Sequence, residues 1–159
     1  MIRRAQNTDW PAIVRLLEQL DYPDTAKFME ARLAQLLSDP AEILLVWEQD
    51  SPANPAPGAT ATPSTPTAAP APILGLLSLH FIPQIALPGD FARISYFSID
   101  ETARGNGLGA QMEEHATQLA REKGCELIEV HCHTRREKAH AFYFRQGYEE
   151  SPKYLVKRL

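Results

Sequence analysis

At 159 residues, 44% of them hydrophobic and 23% charged, the chain has the length of one domain and the composition of an ordinary globule with a core to bury. Its formal net charge of -4 argues against a general nucleic-acid or membrane-surface binder, because basic pairs such as Arg135-Arg136 and Lys157-Arg158 are too short to displace many counterions. No apolar run approaches membrane-spanning length and the first residues lack the apolar centre of a signal peptide, so a cytoplasmic setting with reduced, half-buried Cys125 and Cys132 is expected.

Ile2 to Ala5 reads as a short edge strand. Thr8 or Asp9 is placed to cap a helix with Pro11 in its first turn and Ile13, Leu16, Leu17 and Leu20 as its apolar stripe. A second helix carries Met29, Leu33, Leu36 and Leu37 on one face and stops at Ser38-Asp39-Pro40. Ile43 to Trp47 is a strand, and the chain then changes character. Residues 50–72 are Pro, Ala, Thr, Ser and Gly with almost no charge and no large apolar side chain, which reads as a flexible insertion at a hairpin tip within a single domain covering 1–159. The strand pattern resumes from Ile73 to Phe81.

Phe91 to Ile99 is the next strand, and its pattern slips. Ala92 and Ile94 are apolar on one parity, Phe97 and Ile99 on the other, which predicts a β-bulge near Ser95 and Tyr96 and a slot opened in the sheet. Gly105, Gly107 and Gly109 follow an acidic turn and precede a helical pattern of Leu108, Met112, Ala116, Leu119 and Ala120, bordered by His115 as a packing residue and ended at Lys123-Gly124. Glycines between a strand and a helix N-terminus let backbone N–H groups approach an anion, and Arg104 adds a planar, phosphate-matching charge. Leu127 to Cys132 reads as a strand, Arg135 to Gln146 as a helix stopped by Gly147, and Tyr154 to Leu159 as a closing strand.

Two segments in this order carry a resemblance. Arg104-Gly105-Asn106-Gly107-Leu108-Gly109-Ala110 is similar to the pyrophosphate loop of the GNAT superfamily of acyl-CoA-dependent N-acyltransferases. Ala139-His-Ala-Phe-Tyr-Phe-Arg-Gln-Gly-Tyr148 resembles that superfamily's last helix, in which a Tyr four residues before a Gly-aromatic pair faces the cofactor sulfur. The resemblance implies an α/β (α+β) fold with a mixed, mostly antiparallel central sheet of about six to seven strands, helices on both faces and a splayed parallel strand pair. It further implies acetyl-CoA as co-substrate, with its pyrophosphate on backbone N–H groups from Arg104 to Ala110 and its pantetheine arm along the main chain of Phe97, Ser98 and Ile99. Tyr143 takes the general-acid position. Arg136 stands seven residues earlier, where many members have Asn, and the resemblance counts it among the cofactor-binding residues.

The chemistry fits those positions. Transfer of an acetyl group to a primary amine of a small molecule or peptide needs a neutral amine, a polarised thioester carbonyl and a proton for the thiolate. A backbone N–H at the bulge, from Phe97, suits the oxyanion. A phenol with a pKa of about 10 suits the thiolate. For a base, Glu129, His131 and His133 share one strand face, and His80 and Asp90 flank the acceptor side. No metal-ligand set is complete. The resemblance puts the acceptor near Asp21, Tyr22 and residues 149–153, where Asp21, Asp24, Glu149 and Glu150 form an acidic rim agreeable to a cationic amine. The first and last strands are candidates for pairing in a homodimer. A dinucleotide fold fails for want of room, since only about fifty residues follow Gly105-x-Gly107-x-x-Ala110. A non-catalytic acyl-CoA-binding module on the same fold is the alternative.

Overall fold

A computed structural model of the chain describes residues 1–50, 71–151, 155 and 157. Most of the insertion expected over 50–72, and nearly all of the closing strand expected over 154–159, lie outside the described residues. Five strands form one sheet in sequence order, β1 (Ile2–Arg4), β2 (Glu42–Glu48), β3 (Ile73–Ile82), β4 (Phe91–Ile99) and β5 (Leu127–Val130). The first four pair antiparallel and β4 pairs parallel with β5. This is the mixed, mostly antiparallel sheet expected, with five strands among the described residues. The hairpin of β2 and β3 continues one residue past its ladder, where Gln49 N–H donates to Pro72 O at 2.9 Å.

Strand alternation sends the apolar side chains to two cores. On one face, Leu44, Val46 and Leu76 meet Ile13, Leu16 and Leu17 of α1 (Trp10–Glu18) and Met29 and Leu33 of α2 (Met29–Ser38). On the other, Leu45, Leu77, Leu79 and Ile94 meet Met112, Ala116 and Ala120 of α3 (Leu108–Glu122). Leu16, Leu33, Leu77 and Met112 are fully buried, each removing roughly 1.5–3 kcal/mol worth of side chain from water. The last helix, α4 (Glu137–Arg145), is shorter than expected and starts beyond Arg136, which stands outside helical geometry at φ -91°, ψ 57°.

The start of α1 also differs from the expected cap. A 3₁₀ turn at Asn7–Asp9 precedes it, and Asp9 makes no side-chain cap to the helix. Its carboxylate instead accepts a fork from Arg3, Nη1 at 2.8 Å and Nη2 at 3.0 Å, and the Gln6 N–H at 2.8 Å. Arg3 Nε reaches Glu48 at 2.6 Å, so one guanidinium ties β1 to the end of β2 and to the mouth of α1. His115, expected to pack, is exposed on the outer side of α3.

Burial works against the charge of Asp9, but the Arg3 and Gln6 hydrogen bonds outweigh it and hold the carboxyl below its usual range; the Arg3 hydrogen bond does the same for Glu48. Depressed carboxyls contribute stability that is present above their ordinary pKa and lost as pH falls through the folded-state values. Arg3→Ala is therefore expected to lower stability at pH 7 by about 2 kcal/mol in urea unfolding, and to flatten the loss of stability expected of the unaltered protein below about pH 4.

Candidate active site

The site begins with one extra residue. Ser78 pairs with Tyr96 and Leu79 with Ile94, leaving Ser95 as the bulge. Ile94 and Phe97 thereby point into the same α3-side core although they are three residues apart, which is the parity slip visible in the sequence. β5 matches β4 only from Phe91 to Ile94, so beyond the bulge the two strands diverge and that edge of β4 is open among the described residues. Asp100 N–H donates to Leu74 O at 2.8 Å. By the alternation of an antiparallel ladder, Ser98 also turns its backbone to β3, while Phe97 and Ile99 present theirs to the opening. Ser98 is thus placed differently from its neighbours, and its buried Oγ finds no partner among the described residues.

A tethered turn carries the chain from β4 to α3. Asp100 is 3% exposed and accepts from Thr102 N–H at 3.0 Å, Thr102 Oγ1 at 2.6 Å, Gln19 Nε2 at 3.3 Å and, very closely, from Arg15 Nη1. Gln19 Oε1 returns a bond by accepting from Glu101 N–H at 3.0 Å. The glycine stretch follows this anchored turn. Gly105 (φ +84°) and Gly107 (φ +80°) occupy the left-handed region, where a side chain costs about 1–2 kcal/mol. Gly107 stands at the N-cap of α3 without any side-chain cap. The helical ladder begins with Gln111 N–H to Gly107 O at 3.1 Å, so the N–H groups of Leu108, Gly109 and Ala110 precede it and face outward with the positive end of the helix dipole. Asn106 sits between the two left-handed glycines. Arg104 is exposed, and its Nε donates to Ile99 O at 2.9 Å, so that carbonyl is engaged by the turn itself.

Phe142 draws these parts together. A Cβ on Gly109 would lie 3.4 Å from the Phe142 ring and 3.7 Å from Ile99, so the third glycine serves close packing. The Phe142 ring meets Phe97 edge-on at 5.8 Å and Tyr143 at 5.2 Å. Tyr143 is buried, at 9% exposure, and burial raises its phenol above the usual range, reinforced by Cys132 and Glu113 and opposed by Arg136. It is a neutral O–H at any physiological pH. Tyr143 also packs on Tyr148 at 5.3 Å, and the Tyr148 hydroxyl donates to Glu113 Oε1 at 3.0 Å. Glu113, 3% exposed in α3, holds Thr117 Oγ1 at 2.8 Å as well; sequence reasoning missed it, although an acid at an inward helical position was a signal.

Several expected groups are spoken for. Arg136 Nη2 donates to Leu20 O at 2.5 Å and lies 3.7 Å from Asp21, bracing the start of α4 against the end of α1. Because β5 ends at Val130, His131 and His133 do not continue the strand face of Glu129. Glu129 pairs with Arg93 at 2.6 Å, His80 Nδ1 lies 2.6 Å from Glu42, and His133 Nδ1 accepts the Arg135 N–H at 3.2 Å. Asp90 accepts the Glu126 N–H at 2.9 Å through its backbone carbonyl, a bond that does not occupy its carboxylate. The acidic rim is also consumed in part, with Asp21 on Arg135 at 3.2 Å and Asp24 on Lys27 at 2.8 Å. Lys153 lies outside the described residues. Among the described residues no group of three His, Cys, Asp or Glu side chains is placed to hold a metal, and no helix is long and apolar enough to cross a membrane.

An open-edged bulge, an uncapped glycine-led helix terminus and a buried phenol therefore meet around one ring. The family model described as "Acetyltransferase (GNAT) family" matches residues 10–148, and the chain belongs to that family. It is 32% identical over 79 residues to an aminoalkylphosphonate N-acetyltransferase of Salmonella typhimurium; the match spans 50% of this chain and about half, 51%, of that relative. Its fold is shared with an acetyltransferase of Trypanosoma brucei (TM-score 0.75, 20% identity, 100% of this chain and 99% of that one). An aminoglycoside acetyltransferase from an uncultured soil metagenomic sample also shares it (TM-score 0.71, 20% identity, 100% and 95%).

The buried Glu113 carboxylate leans on the Tyr148 hydroxyl. Tyr148→Phe should lower stability by about 1–3 kcal/mol in urea unfolding at pH 7, and Glu113→Gln with Tyr148→Phe should cost less than the sum of the two single changes.

Proposed function

We propose that the protein moves an acetyl group from acetyl-CoA to a primary amine of a small molecule or peptide by direct attack. The observation that carries the reading is the convergence on Phe142 of the bulge-opened edge of β4, the glycine-led start of α3 and the buried Tyr143. In this reading the outward N–H groups of Leu108, Gly109 and Ala110, with the turn from Arg104 through Asn106, take the pyrophosphate. The main chain of Phe97 and Ile99 pairs with the pantetheine arm, as an added strand would. Arg104 must release Ile99 O for that carbonyl to take part. Arg136 offers a ligand only the N–H groups it does not give to Leu20 O.

The amine nitrogen attacks the thioester carbonyl carbon, the Phe97 N–H stabilises the oxyanion, and collapse breaks the C–S bond. Tyr143 gives its proton to the departing thiolate and is reprotonated from solvent, while the amine nitrogen loses a proton to water. Burial keeps the phenol protonated at neutral pH but also weakens it as an acid, so the transfer depends on the same burial desolvating the departing thiolate and raising its basicity. The Salmonella relative, by its name, acetylates an aminoalkylphosphonate, which supports a small amine acceptor for this chain. A homodimer through β1, an outer strand of the described sheet, belongs to the same reading.

Thiol release from acetyl-CoA with a panel of amines, alongside calorimetric titration with coenzyme A, tests it. Tyr143→Phe is expected to lower kcat about 10²- to 10⁴-fold while changing the coenzyme A Kd less than about twofold. A Tyr143→Phe enzyme with full kcat would remove the phenol from the reaction, and no heat with coenzyme A would overturn the assignment.

A further inference from the structure

On the side of the sheet opposite α3, a cavity of about 310 Å³ lies between α1, α2 and β4. Ile13, Leu17 and Met29 are part of its apolar wall, and Tyr22, Phe28 and Tyr96 ring it, each between 42% and 53% exposed. Tyr22 and Tyr96 meet edge-on at 5.4 Å, and Tyr96 is the residue immediately after the bulge, so this cavity reaches the same opening of the sheet as the reaction centre. Large exposed aromatics around a concave apolar surface are unusual without a ligand to cover them.

Its charge is what selects the ligand. Arg32 is the one ionised side chain in the lining, and it makes no ion pair and no side-chain hydrogen bond among the described residues. The acids closest in sequence are already matched, Asp24 with Lys27 and Asp21 with Arg135 and Arg136. Thr25, also in the wall and 8% exposed, leaves its buried Oγ1 without a partner among the described residues. Three aromatic rings alone would suit a cation. A guanidinium standing among them with no counter-charge among the described residues repels one, and its planar fork matches a carboxylate or phosphonate.

We infer that this cavity receives the apolar body of an amine acceptor that also bears a carboxylate or phosphonate group, with Arg32 pairing with that anion while the amine is directed towards the bulge. The inference rests on the N-acetyltransferase reading for the reaction itself, in which the amine of this same molecule attacks the thioester and free thiol is released.

The test compares 4-(aminomethyl)benzoate and L-phenylalanine, each beside its own carboxamide, and spermidine, in thiol release by the unaltered protein, R32Q and R32K. At least one carboxylate should exceed its amide in kcat/KM by about 10- to 100-fold, the value of one charge-assisted pair. R32Q should collapse that ratio to near one through KM and not kcat, and R32K should restore part of it. An unchanged thermal midpoint certifies that R32Q is folded. Preference for spermidine or the amides, or a carboxylate preference that survives R32Q, would overturn the inference while leaving the acetyltransferase reading intact. Should no amine release thiol, titration of 4-(aminomethyl)benzoate onto the unaltered protein and R32Q decides alone: equal or absent binding to both overturns it, and binding lost about tenfold or more in R32Q supports it.

Discussion

The bulge at Ser95 is the constraint from which the functional half of the molecule follows. Without it, Phe97 and Ile99 would project to the α1–α2 side and Tyr96 and Ser98 to the α3 side, reversing every buried choice in the second half of β4. With it, the strand satisfies both cores and bends away from β5 after Ile94. A parallel pair that separates in mid-sheet exposes backbone donors and acceptors that would otherwise be paired, and such groups are stable only where solvent or a ligand can reach them. The opening is thus a by-product of keeping two hydrophobic faces in phase.

Two tethers hold the rest in register with that opening. Asp100, buried and surrounded by donors from Arg15, Gln19 and Thr102, fixes where the glycine turn starts. At the other end, Tyr148 on Glu113 and Phe142 against Gly109 fix α4 along the first half of α3. Tyr143 is carried between these contacts, which leaves its ring little freedom to turn out of the core. Burial of Glu113 is tolerable because two hydroxyls donate to it.

Features governed by period or by local backbone geometry were legible in the sequence. The parity break between Ile94 and Phe97, the glycines at 105 and 107 and the α3 stripe through Met112 and Ala116 each follow from one strand or one turn. What could not be read depends on partners far apart in the chain. Arg136 reaches Leu20, Asp21 reaches Arg135, and Tyr148 reaches Glu113, all separations that no local pattern encodes. The same holds for the shortened β5: Leu127 to Cys132 has the right residue types for a strand, but its pairing ends where β4 turns away. His115 sits beside an apolar stripe in sequence and faces solvent in space, because the stripe on α3 is narrower than a residue type alone implies.

One helix faces both ligand-sized features. The inner side of α1 supplies Ile13 and Leu17 to the aromatic cavity, and its outer flank supplies Arg15, with Gln19 just beyond its end, to the Asp100 turn that leads to α3. Any rotation of that rod would therefore be felt at both places at once. On the proposed reading, in which the cavity and the helix terminus each take a ligand, a movement of α1 would link the two occupancies, and the linkage would be mutual: by whatever factor the first guest strengthens or weakens the second, the second would alter the first by the same factor.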